Sequence, residues 1–179
     1  MDRILIKNGR VIDPLSGIDE TLDVLIADGR IAEVKVKVEG EHPRTIDASR
    51  LVVCPGFIDA HSHSDVTVEC NPYFESTIRQ GITTEIVGNC GDSTAPFPMS
   101  GGGGFGRFGN APIPHGRTLG EHMKVLEDKG MSANLAWLVG HNTIRKGAGV
   151  SGSSVSEEQY RKMESILISA LEDGALGMS

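Results

Sequence analysis

The chain has 179 residues, of which 39% are hydrophobic and 23% are charged, a composition typical of globular rather than disordered proteins. Its net charge of -7 argues against nucleic acid and acidic membranes as partners, because both bind basic surfaces. No apolar run approaches the roughly 18 residues that a membrane span needs, and the first residues lack the apolar core of a signal peptide.

Residues 1–50 are predicted to form a small antiparallel β unit. Short apolar runs alternate with the dipeptides Asn8-Gly9 and Asp28-Gly29. Both dipeptides favour two-residue hairpin turns, because both central positions of a type I′ turn need a positive φ. The stretch 31–38 alternates apolar and polar residues, which is the pattern of a strand with one face in water. We therefore expect a first domain over residues 1–50.

From Leu51 onward, predicted strands alternate with predicted helices. The apolar run 51–54 leads into the polar end of Pro55–Asp65 and indicates a buried strand. Later strands are predicted at 83–88, 134–139 and 175–178. Helices are predicted at 73–80, from the capping box of Thr118 with Glu121 to Lys129, and from the capping box of Ser156 with Gln159 to Gly174. This alternation favours an α/β domain over 51–179, with a parallel sheet and right-handed crossovers.

The first of these strands carries His61 and His63 at its carboxyl end. Side chains alternate between the two faces of a strand, so both rings are expected on one face, where two imidazoles can bind one metal ion. Cys90 follows the second strand, between Gly88 and Gly91, and its thiol is expected beside the two rings. A thiolate with imidazoles is a ligand set typical of zinc. The alternative for Cys90 is a small buried core thiol.

Further site candidates come from the third strand and from acidic residues near the histidines. His141 ends the third strand, and Arg145 follows it by about one helical turn. A cationic group there would bind a substrate carboxylate, whereas a solvated loop charge is the alternative for Arg145. Asp59 and Asp65 are candidates for orienting the histidine rings, and a structural hydrogen-bonding role is the alternative for them.

Residues 92–117 are interpreted as a long loop over the site, with a plain surface loop as the alternative. Within it, residues 104–109 match the dinucleotide-binding pattern of spaced glycines. That pattern requires a strand before it and a helix after it. Glycine-rich and proline-containing stretches flank it here, so we do not interpret it as a nucleotide site.

The cysteines bear on the cellular compartment. There are three of them, an odd number, and their spacing matches no disulfide framework. We therefore expect free thiols, with Cys54 and Cys70 inert. The expected compartment is the cytoplasm, because the first residues lack the features of a signal peptide.

Several motifs together resemble one protein family. Pro55–Asp65 resembles the first barrel strand of the metal-dependent amidohydrolase superfamily. The stretches 88–91, 140–145 and 174–179 narrow the resemblance to the D-aminoacylase, or N-acyl-D-amino-acid deacylase, branch. The resemblance covers essentially the whole chain. It implies the first half of a (β/α)8 barrel of the TIM type over 51–179, preceded by the N-terminal part of a small β domain.

The resemblance also implies a site for one or two Zn2+ ions at the barrel mouth. His61 and His63 would hold one metal position, and Cys90 would belong to the neighbouring position. Many members of the superfamily use a carboxylated lysine on the fourth strand, but this chain has no lysine from Glu164 to its end. The family's catalytic aspartate and further histidines would lie beyond Ser179. We therefore expect no catalytic residue within this chain and interpret it as an N-terminal fragment.

The implied reaction is zinc-dependent hydrolysis of the amide bond of N-acyl-D-amino acids, which are small-molecule substrates. One alternative is a cyclic-amide hydrolase of the dihydroorotase or hydantoinase kind. Another is an inactive fragment that binds metal. In a half barrel the unpaired sheet edges would favour self-association, or would be covered by a missing C-terminal half.

Overall fold

The computed structural model describes residues 3–96 and 118–179. The chain divides into two compact units, Met1–Pro55 and Gly56–Ser179. Most of the predicted loop at 92–117, together with the glycine pattern at 104–109, lies outside the described residues. No helix of the described residues has the length and apolar character needed to cross a lipid bilayer.

The first unit is built on one five-stranded sheet. Its strands are β1 (Arg3–Asp13), β2 (Ile18–Ala27), β3 (Arg30–Lys35), β4 (Arg44–Asp47) and β5 (Val52–Val53). β3, β2 and β1 pair antiparallel, and β4 and β5 both pair with β1 in parallel. The predicted turn at Asp28-Gly29 joins β2 to β3, and φ at its two residues is 51° and 73°.

The predicted hairpin at Asn8-Gly9 is wrong, because β1 continues through it as a bulge. The register with β2 shifts between Ile6 and Gly9, and Asn8 has a φ of 60°. The buried carboxylate of Asp23 holds the bulge in place. Its Oδ1 accepts the Asn8 N–H at 2.9 Å, and its Oδ2 accepts the N–H of Val38 at 3.1 Å. Asn-Gly supplies the positive φ that a bulge needs as readily as that of a turn.

The bulge changes which face of β1 each side chain occupies. Ile6 and Val11 pack in the same apolar cluster, although they are five residues apart. On a regular strand an odd separation places two side chains on opposite faces. Leu5 belongs to the other cluster of this unit, with Leu25 and Val38. The extra residue therefore lets both halves of β1 bury apolar side chains.

The prediction of a buried strand at 51–54 is also wrong. Val52–Val53 is β5 and pairs with β1 through Arg10 and Val11, so it belongs to the first unit. Leu51 and Val52 are more than half exposed. An apolar run of this length does not reveal which strand it pairs with. Hydrophobic periodicity alone therefore could not indicate the pairing with β1.

The second unit contains a sheet of four parallel strands with helices between them. Its elements are β6 (Phe57–Asp59), α1 (Glu75–Ile78), β7 (Ile82–Val87), α2 (Leu119–Lys129), β8 (Asn134–Val139), α3 (His141–Gly147), α4 (Glu157–Glu172) and β9 (Gly177–Met178). The strands lie in the order β6-β7-β8-β9, so each pairs with its successor in the chain. This is the expected succession of βα units.

The helix ends show which sequence signals were reliable. Both capping boxes form: the hydroxyl of Thr118 accepts the Glu121 N–H, and that of Ser156 accepts the Gln159 N–H. The helix predicted at 73–80 shortens to α1. The sequence analysis did not predict α3, which begins without a side-chain cap.

One apolar cluster holds this sheet and its helices together. It consists of buried side chains, among them Val68, Phe74, Val87, Leu119, Leu126, Trp137, Val139, Ile144 and Ala170. Val87 is the last residue of β7, and Val139 is the last residue of β8. The carboxyl ends of both strands are therefore anchored in the core at the points where the candidate site segments leave them.

Candidate metal centre

His61 and His63 lie in the segment that follows β6, rather than on the strand itself. β6 ends at Asp59, whose Oδ1 accepts the backbone N–H of His61 at 3.0 Å. His63 immediately precedes a short 3-10 turn at Ser64–Val66. The two rings nevertheless meet in a T-shaped contact, with their centroids 5.6 Å apart. The two imidazoles therefore lie side by side, as predicted from the sequence, although they lie on the segment after β6 and not on the strand.

Cys90 follows β7 in a backbone conformation that its glycine neighbours make possible. Its φ is 58°, and Gly88 and Gly91 have φ values of 77° and 78°. A Cβ on Gly88 would lie 1.9 Å from the carbonyl oxygen of Leu138, so the chain there tolerates only glycine. The thiol is exposed. The alternative of a buried core thiol is therefore wrong.

Two later elements hold the Cys90 segment in place. The hydroxyl of Ser179, just after β9, donates to the carbonyl of Gly88 at 2.6 Å and accepts the N–H of Gly91 at 3.2 Å. The N–H of Asn142, at the start of α3, donates to the carbonyl of Gly91 at 2.7 Å. Because backbone groups on both sides of Cys90 are hydrogen-bonded, the backbone that carries its thiol is held in place.

The three side chains converge. His61 Nε2 lies 3.2 Å from Cys90 Sγ, and one ligand atom from each of His61, His63 and Cys90 lies within 4.8 Å of the other two. Nitrogen and sulfur ligands of one tetrahedral zinc ion are about 3.6 Å apart, close to the separation of His61 Nε2 and Cys90 Sγ, and the three donors together form a group compact enough to hold a metal ion. The buried Nδ1 of His63 has no hydrogen-bond partner among the described residues. The donor set, two imidazoles and a thiol, has the chemistry that zinc prefers.

The hydrogen bonds of the two acidic candidates go to groups other than the histidine rings. Asp59 binds the His61 N–H. Asp65 is buried, and its Oδ2 accepts the N–H of Thr94 at 3.1 Å and the Thr94 hydroxyl at 3.3 Å. Burial raises the pKa of Asp65, and its hydrogen bonds with Thr94 and the charge of nearby His63 oppose this shift. Asp65 therefore ties the histidine segment to the stretch that follows Cys90.

His141 and Arg145 lie on α3. His141 is its first residue, and its N–H donates to the carbonyl of Ser179 at 3.0 Å. His141 also lines a half-open cleft of about 330 Å³, together with Tyr160 of α4 and Met178 of β9. The guanidinium of Arg145 donates to the carbonyl of Gly152. The predicted roles of both residues in substrate binding stay predictions.

The sequence analysis missed Glu85 of β7. Its carboxylate is fully buried and accepts the hydroxyl of Ser62, the residue between the two histidines, at 2.5 Å. The available signal was a lone charged residue inside a β-branched run, which ordinarily indicates the exposed face of a strand.

Comparisons with known proteins give a consistent result. Residues 44–179 match the model of the amidohydrolase family. The chain is 36% identical, over 98% of its length, to the N-acyl-D-glutamate deacylase of Alcaligenes xylosoxydans xylosoxydans. Among solved structures, N-acyl-D-glutamate deacylase from Bordetella bronchiseptica, complexed with zinc and a phosphonate mimic of the tetrahedral intermediate, matches 98% of the chain with a TM-score of 0.87 and 33% identity. A D-aminoacylase structure described as defining a novel subset of amidohydrolases also matches 98%, with a TM-score of 0.88 and 28% identity.

The match covers most of this chain but only part of each relative. The chain spans 36% of the Alcaligenes enzyme and 37% of each of the two solved chains. Within that span, the TM-scores confirm the predicted fold class, the first half of a (β/α)8 barrel preceded by a small β unit.

Proposed function

Because this chain belongs to the amidohydrolase family, we propose that it contributes the first metal ligands of a zinc-dependent enzyme that removes the acyl group from N-acyl-D-amino acids. The convergence of His61, His63 and Cys90 carries this proposal. The two solved relatives support it, because one is an N-acyl-D-glutamate deacylase that contains zinc and the other is a D-aminoacylase.

The roles of the chain's own residues follow from their positions. His61 and His63 would hold the metal ion through ring nitrogens, and Cys90 would hold it through its sulfur. Bound there, zinc would supply a water molecule with a pKa lowered to roughly 7 and would polarise a carbonyl group. The positive φ of Gly88 and Gly91 shapes the turn that brings Cys90 to the two histidines. The proton transfers of amide hydrolysis need a general base, which we expect from a part of the enzyme outside these residues.

Substrate class and compartment also belong to this proposal. The related enzymes that match 98% of this chain, two N-acyl-D-amino-acid deacylases and a D-aminoacylase, favour a linear N-acyl-D-amino acid over a cyclic amide as substrate. Cys54, Cys70 and Cys90 are exposed free thiols, which agrees with a reducing compartment such as the cytoplasm. The cytoplasmic location stays a prediction.

The experiment that tests this proposal measures zinc and turnover in the same purified chain. Zinc content is determined by metal analysis after dialysis against metal-free buffer. Release of free amino acid is then followed with N-acetyl-D-glutamate and its L-enantiomer, and ring opening to the N-carbamoyl acid is followed with dihydroorotate and a hydantoin. Bound zinc with turnover of the D-enantiomer is the expected result. The chain is assayed alone and with a polypeptide covering the remaining length of the Bordetella enzyme, because the chain spans only 37% of that relative.

Each other outcome contradicts a particular part of the proposal. Turnover of only the cyclic amides would replace the deacylase by a cyclic-amide hydrolase. Bound zinc without turnover in both assays would leave a metal-binding module. No bound zinc would remove the metal centre itself.

A further inference from the structure

Ser62 lies between the two histidines, and all of its polar groups are bonded. Its backbone N–H donates to the carbonyl of Ile86 at 3.0 Å. Its carbonyl accepts a hydrogen from Nδ2 of Asn89 at 3.1 Å, and its hydroxyl donates to Oε2 of Glu85 at 2.5 Å. His61 and His63 therefore cannot shift without also moving Ser62, whose N–H, carbonyl and hydroxyl are all hydrogen-bonded.

Within its own segment, Ser62 Oγ also accepts the N–H of Ser64 at 3.2 Å and lies 2.9 Å from the Ser64 hydroxyl. The three partners named above come from one short stretch of chain elsewhere. Glu85 and Ile86 lie on β7, and Asn89 directly precedes Cys90. Asn89 Nδ2 also donates to the carbonyl of Ile86 at 2.8 Å, which fixes the side chain that reaches Ser62. The stretch that supplies the thiol therefore also holds the residue between the imidazoles. We call Ser62, Glu85 and Asn89 the clamp.

Burial makes the clamp specific rather than incidental. Glu85 has no solvent exposure and Asn89 is 7% exposed. A buried carboxylate costs stability unless it is well bonded, yet Glu85 Oε1 has no hydrogen-bond partner among the described residues. An apolar residue would serve the stability of β7 better. The interaction gained by placing the Glu85 carboxylate there is its short hydrogen bond with the Ser62 hydroxyl.

We propose that Ser62, Glu85 and Asn89 are positioning residues, which set the separation between the two imidazoles and the Cys90 thiolate. The inference rests on the proposed zinc site, because it concerns the geometry of that site. None of these three residues is itself one of the proposed metal ligands. They act through the backbone of the ligand segments, as the outer partners of metal ligands commonly do.

The test compares zinc affinity in Ser62→Ala, Asn89→Ala and the wild-type chain, by competition with a chromophoric chelator. We expect each variant to bind zinc roughly 10- to 100-fold more weakly, the usual effect of removing an outer partner of a metal ligand. Co2+ provides a second readout. The thiolate-to-cobalt absorption should weaken or shift in both variants, which a general loss of stability would not cause in a folded protein. Ser62→Thr keeps the hydroxyl and should restore most of the affinity.

The matched controls are Asn134→Ala and Ser76→Ala. Asn134 Nδ2 also donates to a carbonyl of the β7 stretch, that of Thr83 at 3.1 Å, but from the first residue of β8, at the end of the sheet away from the site. Ser76 is an exposed serine of α1. Both controls should bind zinc like the wild-type chain.

Circular dichroism and thermal melting show whether each variant is folded. Ser62→Ala leaves the Glu85 carboxylate unpaired. If this single variant does not fold, the double variant Ser62→Ala/Glu85→Leu is used in its place, because removing both partners of a buried hydrogen bond is much less disruptive. Folded variants that bind zinc within twofold of the wild-type chain would overturn the clamp and leave the zinc site intact. A wild-type chain that binds no zinc would overturn both.

Discussion

Cys90 shows how far individual residues could be interpreted from the sequence. Its flanking glycines indicated an open backbone, and the structure gives all three residues a positive φ. The pairing of Glu85 with Ser62 could not be predicted in the same way. These residues are 23 positions apart, and they meet only because of the register in which β6 pairs with β7. Local sequence determines backbone freedom, whereas such a contact depends on the assembled sheet.

At the residue scale we expect Cys90→Ala to lower the zinc content of the purified chain. The variant removes one of three converging donors, and thiolate is the ligand whose loss abolishes the cobalt charge-transfer band. Metal analysis and the absorption of the Co2+-loaded chain measure both effects. Cys54→Ala and Cys70→Ala are matched controls, since both thiols are also exposed and free. Unchanged zinc stoichiometry in Cys90→Ala would count against the thiol as a ligand.

A second residue-scale prediction concerns Gly88. In Gly88→Ala the new Cβ would lie 1.9 Å from the carbonyl oxygen of Leu138, in addition to the strain of a positive φ. Gly149→Ala isolates that strain, because Gly149 has a φ of 74° and open space around it. We expect Gly149→Ala to cost about 1 kcal/mol and Gly88→Ala several kcal/mol in urea unfolding. Equal losses would show that the segment moves to accommodate a side chain.

At the scale of elements, the helix starts marked by capping boxes were predicted better than the strand pairings. The capping boxes of α2 and α4 formed because each needs only residues three positions apart. The bulge at Asn8-Gly9 and the pairing of β5 with β1 were missed, since both depend on a distant partner strand. α3 was missed because Gly140, its N-cap residue, has no side chain to signal a helix start.

The cap of α4 gives a prediction at this scale. Ser156→Ala removes the acceptor of the Gln159 N–H and should destabilise the second unit by about 1 kcal/mol. Ser154→Ala is the control, because Ser154 is exposed and lies outside the helix. Chemical denaturation followed by circular dichroism compares the two variants. A loss of the same size in Ser154→Ala would show that the effect is not one of capping.

At the scale of the whole molecule, the proposed zinc site should make stability depend on metal concentration. A ligand that binds only the folded state stabilises it by about 2.7 kcal/mol at 100 times its Kd. Calorimetry should therefore show a melting temperature that rises with added zinc and falls again with a chelator. The double variant His61→Ala/His63→Ala should lose this dependence. A zinc effect that persists in the double variant would place the bound metal elsewhere.

Exposed apolar side chains lead to the second prediction at this scale. The end strands of the second sheet carry Phe57 and Ile58 on β6 and Met178 on β9, and Leu176 directly precedes β9; all four are half or more exposed. Such surfaces on unpaired edges promote association. Light scattering should report a mass above that of one chain, and the mass should fall in Leu176→Lys. Leu15→Lys, at an isolated turn residue that is 96% exposed, should not change it. A monomer at high concentration would contradict this prediction.

The bulge in β1 has a consequence for how this unit can vary. Deleting Asn8 would remove the extra residue and leave Ile6 and Val11 four positions apart, an even separation that keeps both side chains on one face of a regular strand. A further residue inserted beside Asn8 would instead act on the strand as a frameshift acts on a message, because Val11 would face water and the neighbouring polar residues would turn inward. A one-residue insertion in this stretch is therefore expected to be far more damaging than the deletion of Asn8.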